Sequence, residues 1–390
     1  MVQSEADIPL RVINSAAPIR ICDIGGWTDT WFAGHGKIFN IGVYPSVEVQ
    51  IAVYPRAARP DRIVLNAENY GDRYALVPGK TGPERHRLLQ AAIEELAPPE
   101  EYALEIAIYS EVPASASTGT SAAVTVALIG ALDVLTPGRL TPHEIAYRAH
   151  RVEVERLGLQ SGIQDQLCAA YGALNFIEMT SYPNATVSQI RIPDAIWWEL
   201  ERRLILVFLG RTHSSSAVHE QVIAGLELAG GGAAPLEALR RAAERAHDAV
   251  YTGDFTALGR AMIENTTAQQ TLHPALIGTE ARELIALAQE HGAIGWKVNG
   301  AGGAGGSVTL LCGASASARR SLLRTIAEAT PLFQSIPLYL SRTGLRVWES
   351  RCNVLPAQAG SFALALLHSR GASEQYGLVT KPLDGEPPSD

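Results

Sequence analysis

The chain has 390 residues with a formal net charge of −8, of which 47% are hydrophobic and 18% charged. That supports one large core or two moderate ones, and an acidic balance without any basic run excludes an extended nucleic-acid surface while leaving room for a local phosphate pocket. Cys22, Cys168, Cys312 and Cys352 lack any Cys-x-x-Cys spacing, which argues against a zinc ribbon or a disulfide framework. With no run of ~18 apolar residues and no apolar signal core in the first nine, a cytoplasmic globular protein that meets neither membrane nor nucleic acid is expected.

An extended run over residues 11–17 leads into Pro18-Ile-Arg20-Ile-Cys-Asp23-Ile-Gly25-Gly26-Trp27-Thr28-Asp29. Val47, Val49, Ile51 and Val53 alternate with Glu48, Gln50 and Ala52, which predicts a half-buried strand and leaves the polar segment before it as a loop. Arg20, Asp23 and Asp29 beside two glycines and a tryptophan suit a polyol, gripped by paired hydrogen bonds against a flat apolar wall. A surface turn with a stray ion pair is the plainer alternative. Short strands are expected at residues 63–66 and 74–77, and a helix over 85–97.

Residues 102–110 have strand alternation, and 122–135 read as a buried helix with Thr120 or Ser121 near its start. Between them stands Pro113-Ala-Ser115-Ala-Ser117-Thr118-Gly119-Thr120-Ser121-Ala122-Ala123. Small residues let backbone close on a ligand, and a helix start offers unpaired N–H groups, so this is a candidate phosphate site. An ordinary capped core helix would use the same residues without a ligand.

Thr141, Pro142 and Glu144 form a capping-box opening to a helix expected to reach residue 157 and to carry Glu153. A further helix over 161–171 puts Asp165 in its first turn, where the helix dipole stabilises a carboxylate. Strands are expected near 174–177 and 187–192, and a buried strand over 204–209. Helices then dominate 216–291 around a Gly/Ala break at 229–234, and this shift suggests a second domain from about residue 195. Gly300-Ala-Gly302-Gly303-Ala-Gly305-Gly306 contains Gly-x-Gly-x-x-Gly, yet a strand at 308–311 follows it instead of the helix a dinucleotide fold needs. A glycine hairpin closely approaching another loop is expected instead. A helix over 315–330, a closing hairpin of 336–340 with 345–349, and a partly disordered tail complete the chain. None of His143, His150, His213 and His219 has a metal-ligand spacing, and only His213 stands near an expected site.

Residues 18–29, 113–123 and 297–306, in that order, resemble the three motifs of the GHMP kinases, named for galactokinase, homoserine, mevalonate and phosphomevalonate kinases. The Gly-Gly-Trp-Thr-Asp form of the first, Gly162-Ile-Gln164-Asp165-Gln166, and the serine-rich stretch after Leu209 are similar to the heptose 7-phosphate and fucose kinases within it. The resemblance implies a two-domain α+β fold: a ribosomal-S5-like α/β domain over 1–194, a ferredoxin-like α+β domain over 195–350, and a tail over 351–390. It implies an ATP- and Mg2+-dependent kinase acting on the anomeric hydroxyl of a heptose or related sugar, and it is compatible with a homodimer.

By the same resemblance, Pro113, Ser115, Ser117, Thr118, Gly119, Thr120, Ser121 and Ala122 would cradle ATP, and Ser121 and Glu153 would hold Mg2+. Asp165 would be the base or orienting group, with Arg20 beside it. Asp23, Gly25, Gly26, Trp27, Thr28, Asp29, Gln164, Gly302 and Gly303 would meet the sugar, and Arg211 and His213 its distal end. Ser115 and Ser117 replace expected glycines, and Gly26-Trp27 replaces the Glu-His of galactokinases, which argues against galactose. A kinase of a non-sugar alcohol and a non-catalytic sugar and ATP sensor are the alternatives; retention of Arg20, Ser121, Glu153 and Asp165 favours the sugar kinase.

Overall fold

From residue 13 onward every residue of β1 (Arg11–Ile24) is buried, and this strand is the spine of the larger sheet. The structure is a computed structural model that describes residues 8–77, 86–211, 216–229 and 233–350. His213, the centre of the Gly/Ala break and the tail lie outside the described residues. Beside β1 runs the twenty-residue β2 (Gly36–Pro55). The chain continues with β3 (Ile63–Ala67), β4 (Asp72–Leu76), α1 (Arg87–Leu96), β5 (Tyr102–Ser110), α2 (Thr120–Asp133), α3 (Pro142–Arg151), α4 (Gln164–Tyr171), β6 (Leu174–Ser181) and β7 (Asn184–Gln189). After them come α5 (Asp194–Arg203), β8 (Leu204–Phe208), α6 (Ser216–Ala229), α7 (Ala234–Thr252), α8 (Phe255–Leu272), α9 (Thr279–Glu290), β9 (Ala293–Val298), β10 (Ser307–Cys312) and α10 (Ala316–Ala329). Three short strands close the described chain: β11 (Gln334–Ile336), β12 (Tyr339–Leu340) and β13 (Arg346–Ser350).

The first sheet runs β13-β1-β2-β5-β3-β4, with β6 on the early half of β2, β7 beyond β6, and β12 also against β2. The second runs β11-β8-β10-β9. α2 is buried over most of its circumference and packs on β1 and β2, which is why its sequence is apolar on all sides. The sheet changes between β7 and β8, and the division near residue 195 stays a proposal.

The capping box at Thr141 and Glu144 forms as expected, with both hydrogen bonds present. Three expectations need correction. The segment before residue 47 is mostly strand, because its polar residues are buried and paired and the register of β1 slips after Pro18 and again after Ile21. Residues 336–340 and 345–349 do not pair with each other: β11 joins β8, β12 joins β2 and β13 joins β1. Alternation marks a strand's faces but not its partner. Finally, α3 stops at Arg151, and Val152–Arg156 form a π-turn instead of more α-helix. The glycine stretch lies, as expected, in a hairpin, between the antiparallel β9 and β10.

Candidate active site

The site begins with the bulge in β1, where Cys22 takes a left-handed φ of 52° and the register slips, the kind of irregularity that re-aims neighbouring side chains. Arg20, buried beside it, reaches the first turn of α4: its Nε lies 2.8 Å from Asp165 Oδ1 and its Nη2 3.0 Å from Oδ2. Its Nη1 donates to the carbonyl of Ser117. Burial alone would lower the guanidinium's pKa, but Asp165 and then Asp23 hold it above its ordinary value. Arg20 is therefore a fixed cation.

Behind Arg20 lies a second charged pair. Asp23 Oδ1 accepts from the backbone N–H of Gly300 at 3.1 Å and sits 3.3 Å from Lys297 Nζ and 4.0 Å from Arg20. The Asp23 and Lys297 side chains are each 1% exposed. Burial pushes the Lys297 ammonium below its ordinary range, with Asp23 as the main offset. The four residues form a row of alternating charge; Asp23 lines a cavity, and its buried Oδ2 has no hydrogen-bond partner among the described residues.

One cavity, of about 380 Å3, is lined by residues 115–122 together with Arg20, Glu153, Asp165, Gly300, Ala301 and Gly302. Ser115, Ser117 and Gly119 have φ of 63°, 57° and 69°, and alternating left-handed residues turn successive N–H groups to one side, as in anion-binding nests. For the two serines that conformation costs about 1–2 kcal/mol each, strain that glycine would not carry. Ser307 Oγ donates to Ala116 O at 2.6 Å, and Arg20 holds Ser117 O, so the loop is tied down on both sides. The N-terminus of α2 opens onto the same wall.

Glu153, on the π-turn, borders this cavity while almost wholly buried. Ser161 Oγ at 2.7 Å and Gln166 Nε2 at 2.9 Å both donate to its Oε2. Burial pushes its carboxyl up to about 7. A carboxylate so placed, with Ser121 lining the same cavity, suits Mg2+, which takes one or two protein oxygens and completes its shell with phosphate and water. No cluster of three His, Cys, Asp or Glu side chains suited to a metal occurs among the described residues, so phosphates would have to supply further ligands.

The adjoining cavity, of about 190 Å3, shares Arg20, Asp165, Gly300 and Ala301 with the first. Asp23, Asp29, Gln164, Ser161 and Gly162 give it a polar side; Trp27, Trp31, Phe32 and Ile223 form an apolar one. Trp31 Nε1 donates to Glu227 Oε1 at 2.8 Å, which ties this wall to α6. Asp29 Oδ2 accepts from Gln164 N at 3.0 Å, and burial raises its carboxyl to about 6. A Cβ on Gly162 would lie 2.0 Å from Asp29 Oδ2. Gly162→Ala is therefore expected to displace Asp29 and raise the KM of the acceptor about tenfold, with ATP KM unchanged, as steady-state kinetics would show.

Other expected site residues support the site from behind. Gly25 N donates to Asn265 Oδ1 at 2.7 Å, and a Cβ there would meet Lys37 O at 2.0 Å. Thr28 Oγ1 donates to Gly25 O at 2.7 Å, and Gly26 leaves room beside Asp23 and Gln164. Pro113 starts the turn at Ala116 N, and Gly303 N donates to Leu276 O at 2.7 Å; neither lines either of these two cavities. Arg211 is exposed, pairs with Glu280 at 2.9 Å and lies outside both linings. Lys297 and Gly162 lie within the recognised motifs but are not among the site residues expected from sequence, and neither are Trp31, Phe32 and Ser161. A lysine inside the apolar strand Trp296-Lys297-Val298 was the available signal for the first.

Residues 87–173 match the family model for the GHMP kinases N-terminal domain, and residues 237–328 match that for GHMP kinases C-terminal. The chain thus carries both domains of the GHMP kinases, in the α+β fold expected for them. A D-glycero-alpha-D-manno-heptose 7-phosphate kinase of Campylobacter jejuni is 30% identical over 200 residues, 50% of this chain and 58% of that protein. The match therefore spans little more than half of that relative's length. A mevalonate kinase of Pyrococcus horikoshii is 29% identical over 254 residues, 63% of this chain and 69% of that protein. A D-glycero-D-manno-heptose 1-phosphate kinase from Bacteroides thetaiotaomicron superposes with a TM-score of 0.66 at 20% identity, covering 86% of this chain and 98% of that one, a likeness of fold. No helix among the described residues is long and apolar enough to cross a membrane.

Proposed function

We propose that the protein transfers the γ-phosphoryl group of ATP to a sugar hydroxyl, with the anomeric hydroxyl of a heptose or related sugar as the acceptor. The observation that carries this reading is the junction of two cavities at Arg20 and Asp165, one built for phosphate and the other for a polyol. Phosphoryl transfer needs alignment and charge stabilisation more than covalent chemistry. The nest and the start of α2 receive the nucleotide phosphates. Ser121 and Glu153 would hold Mg2+, which would supply positive charge to offset that of the phosphates. Arg20 donates to the oxygens of the group in transit. Asp165, held by two hydrogen bonds from Arg20, orients the acceptor hydroxyl and takes its proton as the new P–O bond forms. Trp27, Trp31 and Phe32 offer flat faces to sugar C–H groups, and Asp29 and Asp23 Oδ2 accept from its hydroxyls.

The mevalonate kinase relatives favour a second acceptor class, a non-sugar alcohol. Asp23, Asp29 and Asp165 around the acceptor cavity favour a neutral polyol over a carboxylic acid. Release of ADP from Mg-ATP should be measured against heptoses with and without a 7-phosphate, fucose, arabinose, glucuronate, galactose, mannose and mevalonate. ADP release that depends on a sugar supports the proposal; release with mevalonate alone favours the second class, and tight ATP or sugar binding without turnover favours a sensor.

Glu153 also gives a pH dependence. Burial raises its carboxyl to about 7, so below that pH a proton occupies the oxygens a cation needs, and above it the carboxylate is free. The Mg2+ concentration for half-maximal rate is expected to rise about tenfold per pH unit below about pH 7 and to level off above it. Mg2+ titrations across this range, repeated on Glu153→Gln, check it, since the variant should lose the dependence.

A further inference from the structure

Glu95 stands in the last turn of α1, where the helix dipole disfavours a carboxylate. Its side chain is nevertheless 3% exposed, covered by three arginines. Arg156 Nε lies 2.6 Å from Oε2, and Arg151 Nη2 and Arg148 Nη1 lie 3.6 and 3.8 Å from Oε1. Arg148 and Arg151 belong to the last turn of α3, whereas Arg156 is the final residue of the π-turn Val152–Arg156. A single carboxylate on a neighbouring helix thus clasps both ends of that turn. Glu153 sits between the two ends.

Val152-Glu-Val-Glu-Arg156 contains no glycine or proline, so nothing in it prevents continued α-helix. π-turns are rare and concentrate at functional sites, and this one is held by contacts from outside itself in addition to the local pair of Arg151 Nε with Glu155 Oε2 at 3.3 Å. Leu159 N donates to Glu153 O at 2.9 Å and closes the turn on one side; the arginine cluster closes it on the other. Within the turn Glu153 faces inward to Ser161, Gln166 and the phosphate cavity, while Glu155 remains 65% exposed.

We propose that Glu95 is a positioning residue for cation binding: by gathering Arg148, Arg151 and Arg156 it holds the π-turn and so aims Glu153 at the metal that accompanies the nucleotide. The inference rests on the reading of Glu153 as the metal-holding carboxylate. Glu95 touches neither cavity and acts through the turn alone. A brace that merely ties α1 to α3 would change stability and leave cation affinity untouched.

The test uses Mn2+ as probe, with ATP present, on the full chain and on Glu95→Gln, Glu95→Ala and Glu153→Gln. Mn2+ affinity is read by electron paramagnetic resonance, metal-free ATP affinity by calorimetry, and stability by thermal melting. Glu95→Gln keeps the side chain's volume while removing its charge, and remains informative if Glu95→Ala fails to fold. The expected result is Mn2+ affinity weakened about tenfold in Glu95→Gln with metal-free ATP affinity unchanged, in line with other residues that orient a metal ligand. Unchanged Mn2+ affinity with a lowered melting temperature would overturn the proposal and leave Glu95 a brace. Failure of the site reading looks different: Glu153→Gln would bind Mn2+ as tightly as the unaltered chain, or the unaltered chain would not bind Mn2+ with ATP at all.

Discussion

Replacing Asp165 by asparagine is expected to lower kcat about 10²–10⁴-fold while acceptor KM moves little, because the proposed mechanism loses the group that orients the hydroxyl and takes its proton while the cavity keeps its shape. The substitution leaves Arg20 one neutral oxygen to hydrogen-bond and leaves Asp23 to balance its charge, so the fold should persist. Steady-state kinetics on the purified variant, with circular dichroism as the folding control, check this. A variant with wild-type kcat and a raised acceptor KM would make Asp165 a binding residue only.

The largest effect on stability is expected at Lys297. Lys297→Met leaves the 1% exposed Asp23 with Arg20, 4.0 Å away and already committed to Asp165, as its nearest cation. Breaking a buried pair from one side typically costs about 3–5 kcal/mol, because a charge is left without compensation away from water. The double variant Lys297→Met/Asp23→Leu removes both charges and should recover most of that loss, since apolar replacements of buried pairs are often neutral or stabilising. Denaturant unfolding of both variants measures the difference. The double variant should still turn over poorly, because Asp23 Oδ2 and the anchor for Gly300 N go with the pair.

Much of the site was legible because its motifs are local. The loop at residues 115–122, the start of α2 and the capping box each occupy one short stretch whose chemistry shows in the residue types. The glycine hairpin was legible because a strand followed it. The rest depends on long-range placement. Arg20 and Asp165 are 145 residues apart, and only the bulge in β1 aims one at the other. That bulge also hid a strand, since Arg20 and Asp23 read as loop residues until their buried partners are known. Ser115 and Ser117 are left-handed despite their side chains, held by Ser307 and Arg20 from distant elements, which residue preference alone opposes. The π-turn is equally invisible locally, because its sequence is compatible with helix and the residue that braces it sits on α1. Trp31 and Phe32 gave no periodic signal, being in a short 3-10 turn.

The most direct test of the central claim is ³¹P NMR of the sugar recovered after incubation with Mg-ATP, run in parallel on the unaltered protein and on Asp165→Asn. The junction of the two cavities at Arg20 and Asp165 predicts a sugar phosphate formed by the unaltered protein and nearly absent with the variant, and coupling of its phosphorus to the anomeric proton is the result expected for the proposed acceptor. A sugar phosphate formed equally fast by both proteins, or ATP consumed with ADP and inorganic phosphate as the only new phosphorus species across the panel, would contradict it.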